Sequence, residues 1–272
     1  MKKAGLLLLC LLLVGSVAAA MQRGYGGRRS YSSDTSSRRE VLNWEIDPNF
    51  KHDVFTFVRV RYDSYGRGGG WATDFPDSDD NFSLRLQQLT SLKVSPDPII
   101  LDLTDPTLFD YPFLYMIEPG GIMLSQPEVA ALRKYCTQGG FMMVDDFWGE
   151  YEWRDFEMAM QQVFPDRQWE EVPLEHEIFH IVYDMKEKPQ VPSIHSWQRG
   201  STNEWGHGGN TETPHYRAIF DDDRRIMVFI CHNTDLGDGW EREGENHEYF
   251  EEFSVKKSYP LGINIVTYAM TH

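Results

Sequence analysis

The segment "VFTFVRVRY" (54–62) alternates apolar with polar positions and is rich in β-branched and aromatic side chains, which predicts a strand. A long Gly/Asp loop follows, "SYGRGGGWATDFPDSDD" (64–80). The run "FSLRLQQLTSLKV" then predicts a helix, with Asn81 or Ser83 as its cap. Two short apolar runs, "PIILDL" (98–103) and "YPFLYMI" (111–117), predict further strands, the second closed by Glu118-Pro119-Gly120-Gly121. Ser125 with Glu128 three residues on forms a capping box that opens the helix "QPEVAALRKYCTQ", with Pro127 in its first turn. Gly139-Gly140 ends that helix. The strand "FMMVDDFWG" and the helix "RDFEMAMQQVF" come next. Residues 216–233 read as a hairpin, and "LGINIVTYAMTH" (261–272) as a closing amphipathic helix.

Strands and helices alternate, and the strands are apolar on both faces. This pattern predicts an α/β fold: a parallel or mostly parallel sheet with helices on both faces, followed by a C-terminal hairpin and helix. Ligands of such folds bind where loops leave the carboxyl ends of the strands. Three clusters fall there. They are Glu118 with its Pro-Gly-Gly, then "DDFWG" with Asp145, Asp146 and Trp148, then "TDLGDGWE" (234–241) with Asp235, Asp238 and Trp240. In a continuing strand Asp145 and Asp146 point opposite ways, so at most one faces the pocket and the other caps the next helix. Gly237 and Gly239 let the last loop bend sharply. Asp235 and Asp238 then present carboxylates, with Trp240 as a wall for a ring-shaped ligand. The competing expectation is a self-bonded Asx-turn loop.

The ends change the picture of where the protein works. Lys2-Lys3, an apolar run from Leu6 to Val14 and Val17-Ala18-Ala19-Ala20 describe a signal peptide over residues 1–20. The run is too short for a comfortable transmembrane helix, so no span is expected in the mature chain. Residues 21–43 form a flexible basic Gly/Ser/Arg linker, and 44–272 a single α/β domain. The mature protein is therefore expected to be exported, periplasmic or extracellular. Residues 1–39 hold seven of the 26 Lys+Arg and one of the 42 Asp+Glu, which leaves 19 basic against 41 acidic, a net of −22, beyond them. A domain so acidic repels phosphate backbones, which excludes nucleic acid as a partner. Cys136 and Cys231 are the only mature cysteines; one bridge is possible, a disulfide framework is not.

The segments "RVRYDS", "GGGWATDFPDSDDNFSLRLQQLTSLKV", "LFDYPFLYM", "ALRKYCTQGGFMMVDDFWG", "EHEIFHIVYDM", "TDLGDGWE" and "GINIVTYAM" occur in this order. Together they resemble the bacterial domain-of-unknown-function family 4159 over roughly residues 52–272. The resemblance implies a fold like that of class I glutamine amidotransferases, which is flavodoxin-like, and brings no established activity. Such an amidotransferase carries its nucleophilic cysteine two residues before a glycine, on a sharp strand-to-helix turn. Here the comparable turn is "DDFWG", so Phe147 stands at that position and acyl chemistry has no nucleophile. Many members of the family carry Gly-His after the "FLYM" strand, where this chain has Ile117-Glu118-Pro119.

One string points elsewhere. "HEIFH" (176–180) fits H-E-x-x-H, in which His176 and His180 would grip Zn²⁺ and Glu177 would serve as base. The family's usual form has proline at the glutamate position, Pro173 precedes, "KPQVP" follows, and the third ligand is missing. Glu177 is therefore expected to be incidental, with His176 and His180 as satisfied polar residues. Three functions remain in view. The first is an exported domain binding a small ligand or an envelope protein partner at the strand ends. The second is a hydrolase holding a divalent metal through Asp145 or Asp146, His176, His180 and Asp235. The third is an envelope scaffold.

Overall fold

The strands, in chain order, are β1 (Val58–Arg61), β2 (Asp63–Ser64), β3 (Ile99–Asp102), β4 (Phe113–Ile117), β5 (Ile122–Met123), β6 (Phe141–Asp145), β7 (Trp169–Glu171), β8 (His215–Phe220) and β9 (Ile226–His232). The helices are α1 (Asp77–Leu89), α2 (Gln126–Thr137), α3 (Gly149–Val163), α4 (Ile194–Gln198), α5 (Leu236–Glu241), α6 (His247–Tyr249) and α7 (Tyr259–Thr271). The structure is a computed structural model describing residues 44–50, 53–65, 70–205 and 208–272. The leader over 1–20 and the linker over 21–43 lie outside the described residues.

Seven strands form one sheet in the order β3-β1-β4-β6-β9-β8-β7. The first five are parallel, and β8 and β7 close the far edge as antiparallel strands. Every residue of β4, β6 and β9 is buried, which is why these strands read as unbroken apolar runs. Side chains alternate between two cores. Phe113, Tyr115 and Ile117 of β4 join one cluster with Phe82 of α1, Trp240 of α5 and Ile265 of α7. Leu114 and Met116 join the other with Leu132 of α2 and Phe156 of α3. Helices thus cover both faces, as the sequence predicts. Cys136 and Cys231 fall in different clusters on opposite faces, and both are free.

The capping box of Ser125 and Glu128 forms as expected, and 215–232 is an antiparallel hairpin. Two elements differ. Helix α1 starts at Asp77, not at a cap on Asn81 or Ser83. The amide of Ser78 already bonds the Asp74 carbonyl, and those of Asp79 and Asp80 bond the Pro76 carbonyl, so the first turn is seeded earlier. Asn81 instead donates to the Trp240 carbonyl at 2.9 Å. The closing helix begins at Tyr259 and is buried on most of its sides rather than along one stripe. It follows a π-helical stretch, Phe250–Ser258, whose Ser258 hydroxyl donates to the Leu236 carbonyl at 2.6 Å.

Arg59 of β1 lies fully inside the protein. Its guanidinium forks onto both carboxylate oxygens of Asp79 in α1. It also donates to the carbonyls of Trp71 and Thr73, each at 2.9 Å, and to the Ser78 hydroxyl. One buried cation therefore ties the loop before α1 to the sheet. Removing one partner of such a pair leaves the other charge stranded, typically at about 3–5 kcal/mol. Asp79→Ala should lower unfolding free energy by about that amount in denaturant titrations, and the double variant with Arg59→Met should cost less than the two singles summed. A loss under about 1 kcal/mol for Asp79→Ala would contradict this role.

Candidate functional site

β4 and β6 end level, with Ile117 opposite Asp145. The amide of Glu118 still bonds the Asp145 carbonyl at 3.0 Å. The next residue on each of three neighbouring strands then adopts left-handed backbone: Glu118 after β4 (φ 48), Asp146 after β6 (φ 52) and Asn233 after β9 (φ 60). Asp74, in the loop following β1 and β2, does the same (φ 60). Non-glycine residues rarely take this conformation, and Asp and Asn tolerate it best. Such positions cluster where surrounding contacts hold a functional geometry. Asn233 fixes the arrangement, its Oδ1 accepting from the Gly149 amide at 2.8 Å and its Nδ2 donating to the Asn210 and Thr213 carbonyls.

The four turns bring a set of carboxyl groups together inside the carboxyl edge of the sheet. Single oxygens of Asp74, Asp146 and Asp235 lie within 4.8 Å of one another, and so do oxygens of Asp74, Asp238 and Glu241. Asp145, Asp235 and Asp238 are almost wholly buried, and Asp146 nearly so. Asp145 accepts through Oδ2 from the Tyr115 hydroxyl at 3.1 Å and from the Gly237 amide at 2.9 Å, and the Leu236 and Asp146 amides also lower its pKa, while its Oδ1 has no hydrogen bond of ordinary geometry among the described residues. Oδ2 of Asp74 is likewise sealed, with no partner among the described residues. Glu118 accepts from the Gly70 amide at 2.8 Å, and Asp146 from the Trp148 indole at 2.9 Å. Asp235 caps α5 by accepting from the Asp238 amide at 2.7 Å. The Asx-turn reading of this loop thus holds alongside its place in the cluster.

The electrostatics follow from this crowding. Burial pushes the carboxyls of Asp145 and Glu118 up to about 7. Asp74, Asp146 and Asp235 lie well above the usual carboxylate range, first through burial and then through nearby carboxylates: Asp238 and Glu241 act on Asp74, Glu118 and Asp74 on Asp146, and Asp146 and Asp238 on Asp235. Counter-charge is unevenly placed. Arg242 pairs with Asp238 at 3.3 Å and with Glu241 at 2.6 Å, whereas Arg59 is committed to Asp79. The Asp74–Asp146–Asp235 side holds hard oxygen donors suited to a positively charged species.

The sequence-derived candidates divide accordingly. Glu118, Asp145, Asp146, Asp235 and Asp238 converge. Both members of the Asp145-Asp146 pair face the same loop, contrary to strand alternation, because the left-handed φ of Asp146 ends the pleat. Nor does Asp146 cap the following helix: α3 starts at Gly149 after Trp148, whose amide bonds Glu152. Trp148 is 2% exposed and serves as a hydrogen-bond donor inside the cluster. Trp240 is no ligand wall, because it is wholly buried among Phe57, Phe82 and Tyr115. Gly237 and Gly239 make no bend with positive φ; they sit in α5 because a Cβ has no room. At Gly237 it would lie 2.8 Å from both Asp74 Oδ2 and the Tyr115 hydroxyl, and at Gly239 2.6 Å from the Ser258 Cβ.

His176 and His180 are not part of the cluster. His176 packs against Phe220 and Tyr268 beside the start of β9, whereas Asp235 lies past its end, with a seven-residue strand, about 20 Å, between them. The "HEIFH" segment forms one 3-10 turn rather than the multi-turn helix of a zinc peptidase. His176 Nδ1 accepts from the Ile178 amide, and both His180 ring nitrogens are engaged, with Asp184 and with the Leu174 carbonyl. Glu177 is exposed and meets His272 at 3.3 Å. The mixed Asp/His ligand set therefore does not converge. Asp74 escaped sequence reading, as did Arg59 and Asn233; the available signal for Asp74 was a Gly-rich loop leaving the carboxyl end of β1.

The raised carboxyl groups fix the sign of a pH effect. A folded-state pKa above the unfolded one contributes stability that is complete below about 4 and lost as pH rises through about 7. His232, pushed down to about 3 by burial, works on the acid side, and its contribution is complete above its ordinary value of 6.5. Cation-free protein should therefore lose unfolding free energy between pH 6.5 and 8.5, by on the order of 1 kcal/mol per pH unit, and Asp145→Asn should flatten the slope. A flat or rising profile in denaturant titrations across that window would overturn the electrostatic picture.

No curated protein matches the chain. Residues 56–270, the whole stretch from the first strand to the closing helix, match the family described as Domain of unknown function (DUF4159), and the chain belongs to that family.

Proposed function

We propose that this is a binding domain whose ligand is positively charged and seats at the carboxyl edge of the sheet. The observation that carries the reading is the convergence of Asp74, Asp146 and Asp235 from three separate loops, with Asp146 and Asp235 buried, Asp74 half-buried, and no Lys or Arg in an ion pair with any of the three among the described residues. The amidotransferase resemblance would call for a nucleophile at the turn after β6, and the residue found there favours binding over acyl transfer. Phe147 occupies the turn where that chemistry needs a nucleophile and is packed against Trp153, Phe156 and His232. Cys136 and Cys231 are both buried, and burial pushes the Cys136 thiol up to about 12. With residues 1–20 removed as a leader, the ligand would be met outside the cytoplasm.

The test is thermal unfolding of the full chain near pH 7.5 with Ca²⁺, Mg²⁺, Mn²⁺ or spermidine, each against sodium chloride of equal ionic strength. A ligand at a hundred times its Kd stabilises by about 2.7 kcal/mol. For a domain of this size that raises the midpoint by roughly 5–10 °C. At least one of these cations should do so. No shift beyond the sodium control with any of them would refute the reading.

A further inference from the structure

We infer that the positively charged ligand is a divalent metal ion held by the carboxylates of Asp74, Asp146 and Asp235. The inference rests on the reading above and narrows it from any cation to a compact, oxygen-seeking one. Three features carry it.

The first is size. Asp146 is 9% exposed and Asp235 3% exposed, and only Asp74 is half-buried, so the stem of an organic amine could reach the group only past Asp74. A bare ion needs only the gap between oxygens. Two ligands on opposite sides of Ca²⁺ stand about 5 Å apart, and on Mg²⁺ about 4 Å. The three oxygens lie within 4.8 Å of one another, which suits Ca²⁺ directly and Mg²⁺ or Mn²⁺ after slight contraction.

The second is the pair of unpartnered acceptors. Asp145 is fully buried, Asp74 half-buried, and neither Asp145 Oδ1 nor the sealed Asp74 Oδ2 has a hydrogen-bond partner among the described residues. Both lie against the loop that carries Asp235. Asp145 holds the Gly237 amide, and Asp74 Oδ2 stands 2.8 Å from where a Cβ on Gly237 would be. Buried acceptors without donors are rare in folded proteins because each forfeits its solvation. A cation held by the Asp74 carboxylate supplies the partner its sealed oxygen lacks; Asp145 borders that three-oxygen group without belonging to it.

The third is the distribution of counter-charge. Asp74 also approaches Asp238 and Glu241, but the Arg242 guanidinium stands within ion-pair distance of both and neutralises that side. Oδ2 of Asp238 is held by the Ile194 amide at 2.7 Å and the Tyr249 hydroxyl at 2.9 Å. The ion therefore belongs on the Asp146–Asp235 side. An all-carboxylate set favours Ca²⁺, Mg²⁺ or Mn²⁺ over Zn²⁺, which prefers nitrogen and sulfur.

Isothermal titration of the full chain with Ca²⁺ and with Mn²⁺ tests this. One ion should bind per chain, and Asp146→Asn and Asp235→Asn should each weaken binding at least tenfold. Without ions, both variants should unfold at or above the wild-type temperature, because asparagine keeps the acceptor oxygen that bonds the Trp148 indole or caps α5 and brings no charge; this separates a lost ligand from a damaged fold. His180→Ala should leave ion affinity unchanged. Quenching of the free Mn²⁺ paramagnetic resonance signal at one equivalent gives a readout that needs no variant. Equal affinity in wild type and both Asp→Asn variants would overturn the assignment. Stabilisation by spermidine alone, with no response to Ca²⁺, Mg²⁺ or Mn²⁺, would overturn the metal inference and leave the cationic-ligand reading standing. Silence from every cation would overturn both.

Discussion

Like charges gathered inside a protein repel, and the carboxyl edge of this sheet is arranged around that constraint. Two carboxylates 4.8 Å apart repel by roughly 3 kcal/mol at an effective dielectric of 20, a third more than doubles the total, and lost hydration adds to it. The polypeptide nevertheless spends three loops on bringing Asp74, Asp146 and Asp235 together. Either protons or a cation must balance them. The raised pKa values of Asp145 and Glu118 are what the protein does when only protons are on hand.

The rest of the fold holds these groups against their repulsion. The level ends of β4 and β6 set Glu118 and Asp146 side by side, and left-handed turns at both bend the chain before another strand residue can form. Asn233 ties the end of β9 to the start of α3. Arg59 and Asp79 anchor the loop bearing Asp74 from below, through the Trp71 and Thr73 carbonyls. The π-helical stretch supports α5, with Ser254 and Ser258 donating to the carbonyls of Gly239 and Leu236. Gly237 leaves the space in which Asp74, Tyr115 and α5 meet.

Much of this frame was legible in the chain, because apolar runs and capping signals act locally. The strands around Ile100, Tyr115 and Met143, the Ser125–Glu128 box and the hairpin through Ala218 and Phe229 need only near neighbours to be read. What failed depends on distant contacts. Asp145 and Asp146 share one destination because a left-handed residue ends the strand, and φ at one aspartate is set by the packing of three loops. Trp240 looks like a binding-loop aromatic until Phe57, Phe82 and Tyr115 close around it. Asp74 hides among the acids of "ATDFPDSDD", and nothing local separates it from Asp77 or Asp80. "HEIFH" shows the reverse error: a local string can match a zinc motif while its turn, capped by His176, builds no zinc-binding helix.

The central claim is that the carboxylates at the strand ends are a cation site and not a structural accident. Anomalous diffraction from crystals grown with Mn²⁺ addresses it most directly, because manganese can be located without assuming any ligand. The account predicts one strong peak within about 2.5 Å of oxygens from Asp74, Asp146 and Asp235. A fully occupied peak elsewhere, or none at the cluster with Mn²⁺ in excess and all three side chains ordered, would contradict it.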